Sequence, residues 1–275
     1  MCRWIAYSGK ETKLEDYIVS PAHSLLRQST QAKMLRHPDG TMLNVNGDGY
    51  GAGWYSGEAE PCVVKGKDPV WNNENFKNVC RHTKSSLFMA HVRLTTTGEV
   101  HRENSHPFSY KNWLFQHNGY ISDFPSVQRD LQMDIAPELY PFVRGTTDSE
   151  TFFYLALTYG LEKDPKAAME KLYQRLCKAL ADRGEGCFNL SCAFSDGKKL
   201  YTIRAARGVQ TNTQFYSSNP ECLDDFEDNN TFLPDRSVLV VSEPLNDLSG
   251  KWDEVPDGSF VTIAGGKVDV QKLAI

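Results

Sequence analysis

Apolar residues come in short, nearly unbroken runs divided by turn residues, and only the middle of the chain changes period. Trp4-Ile5-Ala6-Tyr7 has the pattern of a buried strand. A polar loop should follow. Pro21, with good helix formers behind it, then predicts a short helix or turn. Residues 44–55 pack four glycines into seven positions just ahead of Trp54 and Tyr55. That reads as a tight turn feeding a strand whose backbone runs close to something else. No Gly-Lys-Ser/Thr closes the stretch, so it is not a phosphate loop. Residues 61–66 read as the paired strand of a hairpin. Residues 87–93 are nearly all apolar and deliver His91 and Arg93 at the end of a buried strand. Thr95-Thr96-Thr97-Gly98 then turns the chain. Another buried strand, within 112–121, runs into Asn118-Gly119. An Asn-Gly step usually marks a hairpin, but here Ser122-Asp123-Phe124-Pro125 and a helical pattern follow it.

The period changes to 3.6 after Thr147-Asp148-Ser149-Glu150, where a hydroxyl with an acid three residues on predicts a helix over 148–161. A second helix, 164–182, opens at Asp164-Pro165 and carries Ala168, Leu172, Leu176, Ala179 and Leu180 on one side. Strands return at 187–194, 199–204, 214–218, 237–242, 260–264 and 267–270. The acidic stretch 221–230 is a loop, read as a solvated insertion or a lid. Strands, then two helices, then strands predict an α+β fold with helices stacked on largely antiparallel sheets. With no internal repeat or linker, residues 1–275 are expected to form a single domain.

Composition mostly excludes. The 275 residues carry a net charge of −5 with no basic tract, which points away from nucleic acid and anionic membrane. No apolar run approaches the roughly 18 residues of a membrane span. The start lacks the form of a signal peptide. Seven cysteines, odd in number and without a Cys-x-x-Cys pair, suit reduced thiols in a cytoplasm. Cys187 and Cys192 differ by an odd number, so on one strand they face opposite ways and cannot share a metal. Five histidines lie between 82 and 117 without ligand spacing. Neither a metal nor a cofactor is expected.

The candidate chemistry begins at Cys2. A small residue after Met1 lets an aminopeptidase expose it, which places a thiol and an α-amine on one residue. Their reference pKa values, about 8.5 and about 7.7–8.0, let the amine take the thiol proton and later return it. Downstream, polar groups sit at strand ends or at a helix start: His91-Val92-Arg93 with Thr95–Gly98, Asn104-Ser105-His106-Pro107, His117-Asn118-Gly119, and Thr147–Glu150. The three histidines 91, 106 and 117 read as scaffold groups, and Asp148 as either a helix cap or a binding residue.

In this order, with Cys at position 2, the clusters resemble the class II glutamine amidotransferases over nearly the whole chain. That resemblance implies an N-terminal-nucleophile hydrolase with a four-layer αββα fold. It makes Cys2 the nucleophile toward a γ-glutamyl amide, and Asn118 with Gly119 the oxyanion hole. Arg93 would bind the substrate's α-carboxylate and Asp148 its α-ammonium, with Thr96 and His106 completing the substrate-binding set. Members fused to sugar-phosphate synthase domains carry Trp and His where this chain has Leu94 and Thr97. The Met-Cys-Arg opening and the glycine-rich stretch are closer to the stand-alone branch, which includes the γ-glutamyl hydrolase of ergothioneine synthesis. The expected activity is release of glutamate from a small-molecule γ-glutamyl compound. Two alternatives stay open: a glutaminase subunit serving a separate synthase, and a catalytically silent domain. A homodimer or a synthase subunit is the partner left open.

Overall fold

The computed structural model describes residues 2–34, 45–95, 98–182, 184, 186–223, 232–246 and 250–275. In chain order the elements are β1 (Arg3–Lys13), α1 (Glu15–Ile18), α2 (Leu25–Gln31), β2 (Tyr50–Trp54), β3 (Cys62–Gly66), α3 (Glu74–His82), β4 (Lys84–Val92), β5 (Phe108–Tyr110) and β6 (Trp113–Ile121). Then come α4 (Phe124–Met133), α5 (Asp148–Thr158), α6 (Pro165–Ala181), β7 (Phe188–Ser195), β8 (Leu200–Arg207), β9 (Phe215–Ser217), β10 (Val238–Val241), β11 (Asp253–Glu254), β12 (Ser259–Ala264) and β13 (Lys267–Lys272). The strands form two sheets, ordered β11-β9-β10-β1-β4-β2-β3 and β13-β12-β8-β7-β6-β5. Every pairing is antiparallel.

The alternation of side chains along each strand explains why these sheets stack in four layers. On β1, Ile5 and Tyr7 pack with Phe88 and Ala90 of β4 and with Tyr17, Ile18 and Leu25 beneath the first sheet. Trp4 and Ala6 point the other way and meet Met89, Leu114, Ala193 and Ile263 between the sheets. The outer face of the second sheet, with Phe115, Phe188 and Phe194, packs on Phe152, Phe153, Leu172 and Leu176 of α5 and α6. Three cores between four layers give the αββα sandwich of the N-terminal-nucleophile hydrolases. Trp4, Ile5 and Tyr7 are at most 1 % exposed. Each contributes about 2 kcal/mol of burial, so the strand that carries Cys2 is fixed and not a frayed terminus.

Several expectations hold closely. The 61–66 strand pairs with the glycine-rich strand as a hairpin, from Tyr50↔Gly66 to Trp54↔Cys62. Both middle helices start within a residue of where they were read. Others are corrected. The short helix begins at Leu25, capped by Ser24, so Pro21 lies ahead of it and not at its first position. The polar loop after Tyr7 is strand, because β1 continues to Lys13 beside Lys84 and Ser85 of β4. Asn118-Gly119 makes no turn, as the helical pattern behind it indicated, and lies inside β6, paired with Ser191 and Leu190. Cys187 precedes β7 instead of starting it. Most of the acidic stretch 221–230 lies outside the described residues.

Candidate active site

Cys2 sits where β1 meets the end of β4, and two strand ends close around it. Its backbone N donates to Asn118 Oδ1 at 3.0 Å, and its Sγ lies 3.5 Å from the carbonyl oxygen of Leu94. Asn118 is fully buried, and its Nδ2 has no hydrogen-bond partner among the described residues. A buried NH2 without an acceptor costs about 1–3 kcal/mol, so the group stands ready for one supplied from outside the fold.

Gly119 lies on the edge of β6 that has no strand neighbour beyond Phe115, since β5 pairs only as far as that residue. His117 and Ile121 are engaged along this edge: the His117 carbonyl accepts from His91 Nε2 at 3.2 Å, and Ile121 N–H donates to Asp148 Oδ2 at 3.1 Å. Alternate residues of a strand present their N–H groups to the same side, so Gly119 directs its N–H to this edge as well. Only glycine fits here, because a Cβ would stand 1.9 Å from the Asn189 carbonyl oxygen and 2.2 Å from His117 Nε2.

Arg93 follows β4 and is 3 % exposed. Burial lowers its pKa, while the nearby Cys2, Asp48 and Asp148 act in the opposite direction. The glycine-rich stretch explains how Arg93 is held. Gly49 C=O accepts from Arg93 N–H at 2.8 Å, Asp48 N–H donates to Arg93 C=O at 3.0 Å, and Asp48 Oδ2 accepts from Thr95 N–H at 2.8 Å. The close backbone approach expected of these glycines lies at Gly51, where a Cβ would stand 2.2 Å from the His106 carbonyl oxygen. No local pattern singles out Asp48 itself. Thr96 lies outside the described residues.

Comparison with known proteins decides the family. The model for class II glutamine amidotransferases matches residues 33–274. The chain belongs to the class II glutamine amidotransferases. The probable glutamine amidotransferase DUG3 of Saccharomyces cerevisiae is 32 % identical over 96 % of this chain and 82 % of its own length. A γ-glutamyl-hercynylcysteine sulfoxide hydrolase of Mycolicibacterium smegmatis is 27 % identical over 99 % of this chain and all of its own. Among solved structures, a glutamine aminotransferase class-II domain protein from Silicibacter pomeroyi superposes with a TM-score of 0.72 at 29 % identity, each chain covered completely. The Bacillus subtilis glutamine phosphoribosylpyrophosphate amidotransferase shares the fold at a TM-score of 0.64 and 14 % identity, with half of its chain covered.

In this chain Asp148 opens α5, but the cap is Thr147, whose Oγ1 accepts from Glu150 N–H at 3.2 Å. Asp148 therefore does not cap the helix. Its carboxylate takes Ile121 N–H, Ser149 N–H at 2.7 Å and Ser149 Oγ at 3.2 Å. Burial raises its pKa, against the pull of His117 and those donors. One of its four lone-pair directions is left for a further donor.

The three histidines divide. His117 bridges Ser149 Oγ at 2.8 Å and the Asn189 carbonyl at 2.9 Å, which joins β6, β7 and α5. His91 must carry its proton on Nε2 to donate to the His117 carbonyl, and burial pushes its pKa down to about 3, so it is neutral. Among the described residues His106 makes no hydrogen bond with either ring nitrogen; its ring centroid lies 4.2 Å from that of His91 and the ring meets Phe108 edge-on. The structure thus sets His106 in a buried aromatic stack.

Sequence reasoning also passed over the support beneath Cys2. Arg3 Nη1 donates to the Cys2 carbonyl at 3.1 Å, and Arg3 Nε pairs with Glu243 Oε2 at 2.9 Å. Glu243, 1 % exposed, further accepts from His23 and from the N–H groups of Lys33 and Met34. Burial alone would raise the Glu243 carboxyl, but these donors outweigh it and its pKa is lowered. An acid directly after an apolar strand was the visible signal.

Proposed function

We propose that residues 1–275 act as one hydrolase domain that cleaves a γ-glutamyl amide through a thioester on Cys2 once Met1 has been removed. The observation that carries this reading is the pair of bonds at Asn118. Oδ1 holds the Cys2 nitrogen at 3.0 Å, while the buried Nδ2 has no acceptor among the described residues. One amide group thus orients the base and presents a donor beside the nucleophile.

In the reaction the Cys2 amine takes the thiol proton, and sulfur attacks the δ-carbonyl carbon. The carbonyl π-electrons move to oxygen, which Asn118 Nδ2 and Gly119 N–H stabilise. Collapse expels the amine leaving group with the proton returned by the Cys2 ammonium. Water then attacks the thioester, its proton passing through the same amine to the thiolate, and glutamate leaves. Arg93 suits the substrate's α-carboxylate because a planar guanidinium matches two oxygens, and Asp148 has an acceptor direction for the α-ammonium. A reducing cytoplasm keeps the thiol competent.

The test uses protein whose loss of Met1 is verified by intact mass. Glutamate release from glutamine and a panel of γ-glutamyl peptides is compared between wild type and Cys2→Ala. Release confined to the wild type supports the hydrolase, whereas equal release from both overturns it. Ammonia that appears only in the presence of a co-purifying synthase would favour the glutaminase-subunit reading.

A further inference from the structure

Asn118 is gripped from behind as well as from the front. Its carbonyl accepts the Nδ2–H of Asn212 at 2.9 Å. Asn212 stands on the segment between β8 and β9, and its own backbone is engaged at both ends. Its N–H donates to Asn189 Oδ1 at 3.2 Å, and its C=O accepts Arg204 Nε at 2.9 Å. Asn189 Nδ2 returns a bond to the Gln210 carbonyl at 2.8 Å. Arg204, 6 % exposed, also bonds the Val255 carbonyl and pairs with Glu254 at 2.6 Å. The 210–212 segment is therefore a brace tied to β7, β8 and β11.

The Asn118 carbonyl and the Gly119 N–H belong to one planar trans peptide unit and point in opposite directions. A donor on that carbonyl fixes the rotation of the plane, which sets where the N–H points on the far side. It also polarises the unit and makes the N–H a stronger donor. We propose that Asn212 is a positioning residue for acyl transfer, aiming the Gly119 N–H and the Asn118 side chain through its bond to the Asn118 carbonyl. This rests on the hydrolase reading above.

The chain contains two Asn-Gly steps, 46–47 and 118–119, so carbonyl-13C-Asn with 15N-Gly labelling isolates two peptide signals. In Asn212→Ala the 118–119 signal shifts and the 46–47 signal stays in place. The kcat for glutamate release falls about fivefold, the value of one net hydrogen bond, while KM holds. Asn212→Asp adds a readout that a purely structural role would not move. The carboxyl it introduces can donate to the carbonyl only when protonated, with Arg204 and Glu254 the charged groups beside it. Its activity relative to wild type should recover as pH falls toward the usual carboxyl range of about 4. Unchanged kcat in Asn212→Ala, an unmoved 118–119 signal, or a flat pH ratio in Asn212→Asp each overturns the assignment while the wild type stays active. A wild type that releases no glutamate although the 118–119 signal moves overturns the hydrolase reading, and the catalytic role of Asn212 with it.

Discussion

Replacing Asn118 by Asp changes one atom of the site and separates its two duties. Either carboxylate oxygen can still accept from the Cys2 nitrogen, as Oδ1 does at 3.0 Å. What is lost is Nδ2, the buried donor that has no partner among the described residues. Loss of one oxyanion donor costs about 10²–10³ in kcat, or about 3–4 kcal/mol. An anion facing a developing anion adds to that cost, so the expected fall is at least about 10³-fold. Arg93 and Asp148 are not altered, so KM should change by less than about threefold. Burying a carboxylate at a fully buried position is unfavourable, but the cationic amine of a processed Cys2 would offset part of it. A thermal melt run alongside separates lost fold from lost chemistry. The assay is initial-rate glutamate release at saturating γ-glutamyl substrate, with intact mass verifying the substitution. A folded Asn118→Asp protein within about threefold of wild-type kcat would refute the claim that this side chain supplies the oxyanion donor.

Gly119→Ala should lower stability by about 1–3 kcal/mol or more, because its Cβ would fall 1.9 Å from the Asn189 carbonyl and force β6 from β7; thermal melting checks this, and an unchanged Tm would contradict it. Thr147→Ala removes the cap on α5 and should cost about 1 kcal/mol, or about 2–4 °C in Tm. Glu243→Gln breaks a buried pair with Arg3 and should cost about 3–5 kcal/mol near neutral pH. Because the folded Glu243 carboxyl is lowered, its contribution is complete above the unfolded value of about 4.3 and is lost as pH falls through the folded pKa. The stability gap between wild type and Glu243→Gln in urea should therefore shrink in acid, and an equal gap at neutral pH and at about pH 3 would count against the pairing.

The strands that build the sheet interface were legible because they are short apolar runs, as at Trp4–Tyr7 and Leu87–Val92. The polar half of β1 was not. Gly9 to Lys13 has no apolar alternation, and only its pairing with β4 makes it strand. Helix α3 escaped for a similar reason: only Phe76 and Cys80 of its nine residues are buried. At the site, Cys2 offers a thiol and an amine on one residue, but a Cys after Met alone carries little signal, and only the clusters downstream made it a candidate. Asn118 could not be read alone either, because an Asn-Gly step in isolation points to a turn, and the order of clusters along the chain was what set it apart. Asp148 drew notice as a helix start, but only the structure separates it from the cap at Thr147. Asp48 and Asn212 act through backbone groups distant in sequence, and no local pattern reports such bonds.

Those distant bonds share one cause. From Gln116 onward β6 has a strand on one side only, so the N–H and C=O groups of its other edge must find partners elsewhere or be left bare. His91 takes one and Asp148 another, each from a different layer of the sandwich. Between them strand alternation puts the Gly119 N–H on the same edge. A complete sheet would have used that N–H in its ladder, whereas the proposed mechanism gives it to a substrate oxygen. The short β5, which stops pairing at Phe115, therefore does more than end a sheet: it leaves a donor available on a backbone that β7, His91, Asp148 and Asn212 hold rigid. A site built this way needs little reorganisation when charge develops on the substrate, the condition under which fixed dipoles stabilise an oxyanion best. The same crowding explains why β6 carries a glycine at 119, where any larger residue would press on β7.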